Sequence, residues 1–196
     1  MCVFSYYYKP FYNFQIEHWW VALIFLGIVV TLSILIECTS CGRQHPQNMI
    51  LLLAFVLCFS YILSYTTTYY ANTYGGQIVI EACAITMAIV IALTAYAFFT
   101  RTDFTTWVGI VIVVVVCFAF FGVSVAVRWN QTLNSLYCAL GAIVAGILLI
   151  IDTQMIVGGE RSFQISMDDY VLGALVLYVD VIRLFLYILR GLGSKK

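Results

Sequence analysis

Ile150-Ile151-Asp152-Thr153-Gln154-Met155-Ile156-Val157-Gly158-Gly159 sets an ionisable carboxylate inside an otherwise apolar run. A second acid follows in the next apolar stretch, Asp180 in Tyr178-Val179-Asp180-Val181-Ile182-Arg183-Leu184. An acid at the centre of a hydrocarbon layer costs about 2.5–3.5 kcal/mol on insertion scales. Two of them in consecutive segments are therefore expected to line a polar interior rather than to face lipid.

Around these two stretches the chain is 64% apolar and only 9% charged, with a mean hydropathy of +1.03. Soluble domains carry about 25% charged residues, so this chain lacks the polar surface to cover a globule in water. It reads as an all-α integral membrane protein whose first partner is lipid. The formal net charge is zero and there is no basic run, so nucleic acid is not expected as a partner. Residues 1–18 read as a polar and aromatic N-terminal segment, with Lys9-Pro10 as a breaker. They lack the basic start, apolar core and small-residue cleavage site of a signal peptide. Residues 19–196 then read as one helical bundle.

Six apolar segments occupy that bundle: 19–36, 49–70, 78–99, 107–127, 133–157 and 170–189. Each is close to the ~20 residues that cross a ~30 Å hydrocarbon core as a helix. Lipid offers no partners to backbone N–H and C=O groups, which makes helices obligatory for segments of this kind. A barrel is excluded by segment length and by the absence of alternating polarity. Residues 71–77, with their Asn, Thr, Tyr and Gly-Gly, read as a turn, and Ser166-Met167-Asp168-Asp169 as a capping box with Ser166 at the N-cap. Asn130-Gln131-Thr132 is a glycosylation sequon close to the bilayer. Trp19, Trp20, Trp107 and Trp129 fall at segment ends, as an aromatic belt requires.

The path of the last segment is open on charge. With six crossings, Lys9, Arg128, Arg190, Lys195 and Lys196 share one side, against Arg43, Arg101 and Arg161 on the other. If the last segment enters and returns, Arg43, Arg101, Arg161, Arg190, Lys195 and Lys196 stand against Lys9 and Arg128, which obeys the positive-inside rule better.

The seven cysteines lie mostly within apolar segments, where a thiol behaves as a small hydrophobe. Cys38-Thr39-Ser40-Cys41 with His45 nearby offers too few ligands for zinc. Glu37 closes the first segment and is expected to reach the interface. Glu81, four residues into the third, can snorkel outward or support the bundle interior. Asp152 lies ~9 Å from the end of its segment and Asp180 ~16 Å into the next, at 1.5 Å per residue. A short connection makes these two segments an antiparallel hairpin that brings both acids inward. Two carboxylates in a low-dielectric interior cannot both stay charged cheaply, and a close pair can share one proton. Such a pair can give up its proton and bind a cation in passing, or close again in acid. Thr153 and Gln154 are supporting polar groups beside Asp152. Arg183 supplies the competing reading, an i,i+3 ion pair that merely neutralises Asp180, whereas Asp152 has no basic residue within a turn. Gly141, Ala142, Ala145 and Gly146 form overlapping small-xxx-small pairs that permit close helix approach. No cofactor and no standing metal site are expected. Paired intramembrane aspartates also occur in aspartyl proteases, but Ile-Asp-Thr and Val-Asp-Val lack the Tyr-Asp and Gly-x-Gly-Asp settings of that chemistry, so an enzyme is not expected.

Asp152-Thr153-Gln154, preceded by Leu140-Gly141-Ala142, resembles the transmembrane Bax-inhibitor-motif family in its lifeguard branch. His45-Pro46-Gln47-Asn48, Glu81-Ala82 with Thr86, Thr100-Arg101-Thr102-Asp103-Phe104-Thr105, Ser166-Met167-Asp168-Asp169-Tyr170 and Leu177-Tyr178-Val179-Asp180-Val181-Ile182 agree in order and spacing. The resemblance runs from about residue 19 to the C-terminus. It implies a seven-helix bundle around a short central last helix, and a pH-sensitive calcium leak of internal membranes, endoplasmic reticulum or Golgi, that restrains cell death. It assigns proton control of the pore to Asp152 and Asp180, and calcium as the ion that passes. The alternative it carries is a non-conducting membrane regulator that binds cell-death or calcium-channel proteins. Two departures stand out. Residues 1–18 do not match the family's first helix, as in a truncated form, and Arg183 stands where a neutral residue is expected, beside Asp180.

Overall fold

The computed structural model describes residues 9–38, 46–128, 130–158 and 169–194. It is helical almost throughout: α1 Lys9–Glu17, α2 Trp19–Cys38, α3 Gln47–Tyr74, α4 Gln77–Phe99, a 3-10 turn Phe104–Trp107, α5 Val108–Val127, α6 Gln131–Val157 and α7 Tyr170–Gly193. No strand occurs among the described residues. Among the described residues, six helices are long and apolar enough to cross a membrane, counting the 3-10 turn with α5, and they coincide with the six segments read from the sequence. Helices α2, α3, α6 and α7 extend two to four residues past an end of the apolar run, because a backbone already hydrogen-bonded in a helix continues until a cap or a glycine stops it.

Helix ends follow local chemistry. Pro10 is not a breaker but part of the first turn of α1, where its missing N–H costs nothing and its fixed φ suits the helix. The polar N-terminal segment therefore contains a nine-residue helix. Helix α3 stops at Gly75, whose φ of 97° puts it in the left-handed region that a side chain would disfavour; its N–H donates to Ala71 O at 3.0 Å. The turn expected over residues 71–77 is thus confined to Gly75-Gly76, with Asn72-Thr73-Tyr74 continuing the helix. Helix α6 starts at Asn130, whose side-chain oxygen accepts from Thr132 N at 2.9 Å, so the sequon asparagine serves as the N-cap. Helix α7 begins one residue after Asp169, which holds the N-cap position. The proposed cap Ser166 lies outside the described residues, as do Cys2, Cys41, Arg43, His45, Trp129, Arg161, Lys195 and Lys196. The last segment, whose path is open on charge, forms one uninterrupted helix of 24 residues, long and apolar enough to cross a membrane.

The chain divides into two compact units, residues 1–79 and 80–196. In the first, α2 packs on α3 with α1 against both. Tyr61 of α3 stacks on Phe25 of α2 at 4.5 Å between ring centroids and meets Phe11 of α1 edge-on at 6.2 Å. In the second, α6 packs along α7 and against α5 and the 3-10 turn. Within their most apolar stretches, 44% of α6 and 39% of α7 is buried, against 6% in α5; the first two are interior helices and α5 is outward-facing. Trp19, Trp20 and Trp107 are exposed, as belt residues should be. Of the described cysteines, Cys138 is buried while Cys83 and Cys117 are exposed.

Candidate functional site

The α6–α7 hairpin is close because its contact positions are small. A Cβ on Gly141 would sit 2.6 Å from the Tyr187 ring of α7 and 2.9 Å from Phe118 of α5, and one on Gly146 would meet Leu93 of α4 at 3.1 Å. Ala145 between them is wholly enclosed. Helix α7 answers with Gly173, 3.2 Å from Ile156 by the same measure, and Gly191, 3.4 Å from Cys138. The pairs 156–173 and 138–191 fix an antiparallel register. This is the close approach expected of the small-xxx-small positions, with the α7 glycines as an unexpected counterpart.

That register brings the two acids together. Asp152 is 9% exposed and Asp180 only 2%, and the two carboxyls are neighbours that act on each other. Asp180 Oδ2 is enclosed and finds no donor among the described residues. Two ionised carboxylates are acceptors only, so a hydrogen bond between them requires a proton on one. Arg183, one turn on from Asp180, places Nη1 3.5 Å from Asp180 Oδ1 while its side chain stays 43% exposed. The i,i+3 ion pair is therefore real, but it does not replace the carboxyl pair; both exist at once. Arg183 also acts electrostatically on Asp152, which was the acid without a basic neighbour in its own helix.

The supporting residues divide. Thr153 is buried, but its hydroxyl donates to Leu149 O at 2.6 Å, a bond within its own helix that leaves the acids alone. Gln154, 1% exposed, turns away from the pair: Oε1 accepts from Phe104 N at 2.9 Å and Nε2 donates to Thr102 O at 3.0 Å. Both bonds go to backbone of the α4–α5 connection. There Asp103 Oδ1 accepts from Thr105 N at 3.1 Å and from its hydroxyl at 2.6 Å, shaping the 3-10 turn that Gln154 grips. Glu81 is exposed on α4 while its neighbours Ala82 and Thr86 are buried, which accords with the outward of the two readings left open for it.

Farther along the hairpin lies an aromatic group that sequence reasoning passed over. Phe118 and Tyr137 stack at 4.5 Å with planes 1° apart, and Tyr187 meets both edge-on at 5.8 Å. The Arg190 guanidinium lies 5.4 Å above the Tyr137 ring. A tyrosine opposite a small-residue seam was the available signal, since a gap left by Gly141 must be filled.

The family model described as Bax1-I, inhibitor of apoptosis-promoting Bax1, matches residues 1–196. The chain is 33% identical over 171 residues to protein lifeguard 3 of Homo sapiens, covering 85% of this chain and 53% of that protein. With lifeguard 3 of Mus musculus it shares 32% over 176 residues, 88% of this chain and 54% of the relative. With mouse lifeguard 4 the identity is 29% over 175 residues, 88% and 69% of the two chains. The chain thus spans about half the length of the lifeguard 3 proteins it matches.

Proposed function

The chain belongs to the family of inhibitors of apoptosis-promoting Bax1, and on that premise we propose that this multi-pass membrane protein is a proton-sensitive calcium leak of an internal membrane that restrains cell death. The observation that carries the reading is the meeting of Asp152 and Asp180, both buried, from consecutive membrane helices. With both carboxyls ionised the pair offers hard anionic oxygens of the kind calcium takes. Two side chains supply few ligands, which suits passage rather than retention. With one proton between them the pair loses charge, and its oxygens hold each other instead of a cation, drawing α6 and α7 together. Flux then rises with pH and falls in acid. Intramembrane acids mark ion and proton paths by default, because an idle one would be costly to keep.

Calcium-dye liposomes containing the purified chain test this directly. Wild type is expected to leak faster as external pH rises. Asp152→Asn with Asp180→Asn removes the titrating oxygens and flattens that dependence. A double variant with unchanged flux and an unchanged pH profile sinks the reading. The membrane of residence is tested by co-distribution of the tagged chain with endoplasmic reticulum and Golgi markers.

A further inference from the structure

Resting on the leak reading above, we propose that Arg183 sets how strongly the carboxyl pair prefers a divalent over a monovalent cation, by holding a fixed positive charge beside it. The guanidinium lies 3.5 Å from Asp180 and acts on both Asp152 and Asp180. Arg190, seven residues on, acts instead on Tyr187 and Cys138. Among the described residues, then, Arg183 is the cation acting on the pair, and Asp152 and Asp180 are the acids that face it. Arginine stays protonated throughout the usable pH range, so its charge is constant.

The consequence follows from Coulomb's law. Two ionised carboxyls alone present a charge of −2; with Arg183 beside them the site presents −1. Repulsion from the guanidinium scales with the charge of the arriving ion. It therefore costs a divalent ion twice the free energy that it costs a monovalent one at the same position. Removing it multiplies divalent affinity by the square of the factor gained by a monovalent ion. Arg183 is also the accessible member of the group, with 43% of its side chain exposed against 3% for Asp180, so it can be replaced without repacking the hairpin.

The test is calcium-45 binding to the detergent-solubilised full chain, with potassium as competitor, at a pH high enough that binding no longer changes with pH. That condition removes competition from protons at the pair. Arg183→Gln is expected to tighten calcium on the order of tenfold and potassium about threefold, the square relation. Arg183→Lys keeps the charge and is expected to stay near wild type, which separates charge from shape. Unchanged calcium binding in Arg183→Gln, equal factors for the two ions, or equal effects of the Gln and Lys variants overturns the inference. Calcium binding to none of the variants also overturns it. The leak reading is judged apart from all of these, by whether liposome flux depends on Asp152 and Asp180.

Discussion

Arg183 Nη1 lies 3.5 Å from Asp180 Oδ1 across one turn of α7, yet the arginine side chain is 43% exposed and the aspartate 3%. The asymmetry makes the two halves of the pair unequal. Arg183→Gln leaves an enclosed acid facing a second acid, whereas Asp180→Asn leaves a half-exposed guanidinium that can turn outward. Breaking a fully buried pair costs about 3–5 kcal/mol. Exposure of the arginine reduces the expected loss for Arg183→Gln to about 1–2 kcal/mol. Asp180→Asn should cost under about 1 kcal/mol by the same reasoning, and the double variant should resemble Asp180→Asn. Thermal unfolding of the three variants in one detergent checks the order. Equal losses for both single variants would show that the enclosed acid is not the source of the asymmetry.

Gly141 and Gly27 make opposite predictions for the same change. A Cβ at 141 would stand 2.6 Å from Tyr187 and 2.9 Å from Phe118, while one at 27 meets nothing within 4 Å. Gly141→Ala is expected to destabilise by about 1–3 kcal/mol through overpacking. Gly27→Ala should be neutral or stabilise by about 0.5–1 kcal/mol, since alanine has the lower entropic cost in a helix. Trimming Tyr187 to Leu in the Gly141→Ala background should return part of the loss. Melting temperatures of the four proteins decide it.

How far the sequence could be read depended on whether a signal was local. The six spanning helices were legible because lipid forces every backbone group into one helix and a 20-residue apolar run has no other use. Asp152 and Asp180 stood out for the cost of placing acids there, and their meeting followed from a short connection. The Asp180–Arg183 pair was visible as i,i+3 spacing. Glu81 was ambiguous because the third segment has apolar residues all around it, so no stripe marks its buried face. Gln154 reads from the sequence as a neighbour of the acids, but an amide is directed by its hydrogen-bond partners, and these lie about 50 residues away in the chain. Pro10 misled as a breaker because the same residue starts helices as well as ending them.

Asn130 caps α6 through Thr132 N at 2.9 Å. Asn130→Ala should cost about 1 kcal/mol, and Asn130→Ser or Asp should restore most of it. Amide hydrogen exchange over the first turn of α6 is expected to speed up in the alanine variant alone. Uniform behaviour of all three would mean that water satisfies the turn just as well.

Gln154 ties the acid-bearing end of α6 to the α4–α5 connection, with one amide group making both bonds, to Phe104 N and Thr102 O. Gln154→Leu fills similar volume but deprives both backbone groups of their partner. A buried group left without a bond costs about 1–3 kcal/mol, so the variant should lose stability within that range. Gln154→Glu separates the two bonds, because an ionised carboxylate still accepts from Phe104 N but sets an acceptor against Thr102 O. Exchange at the Phe104 amide is therefore expected to accelerate strongly in Gln154→Leu and much less in Gln154→Glu, while both lose stability. Protection at Phe104 that survives in the leucine variant would mean that the 3-10 turn, held by Asp103 and Thr105, keeps its shape unaided and that Gln154 is not its anchor.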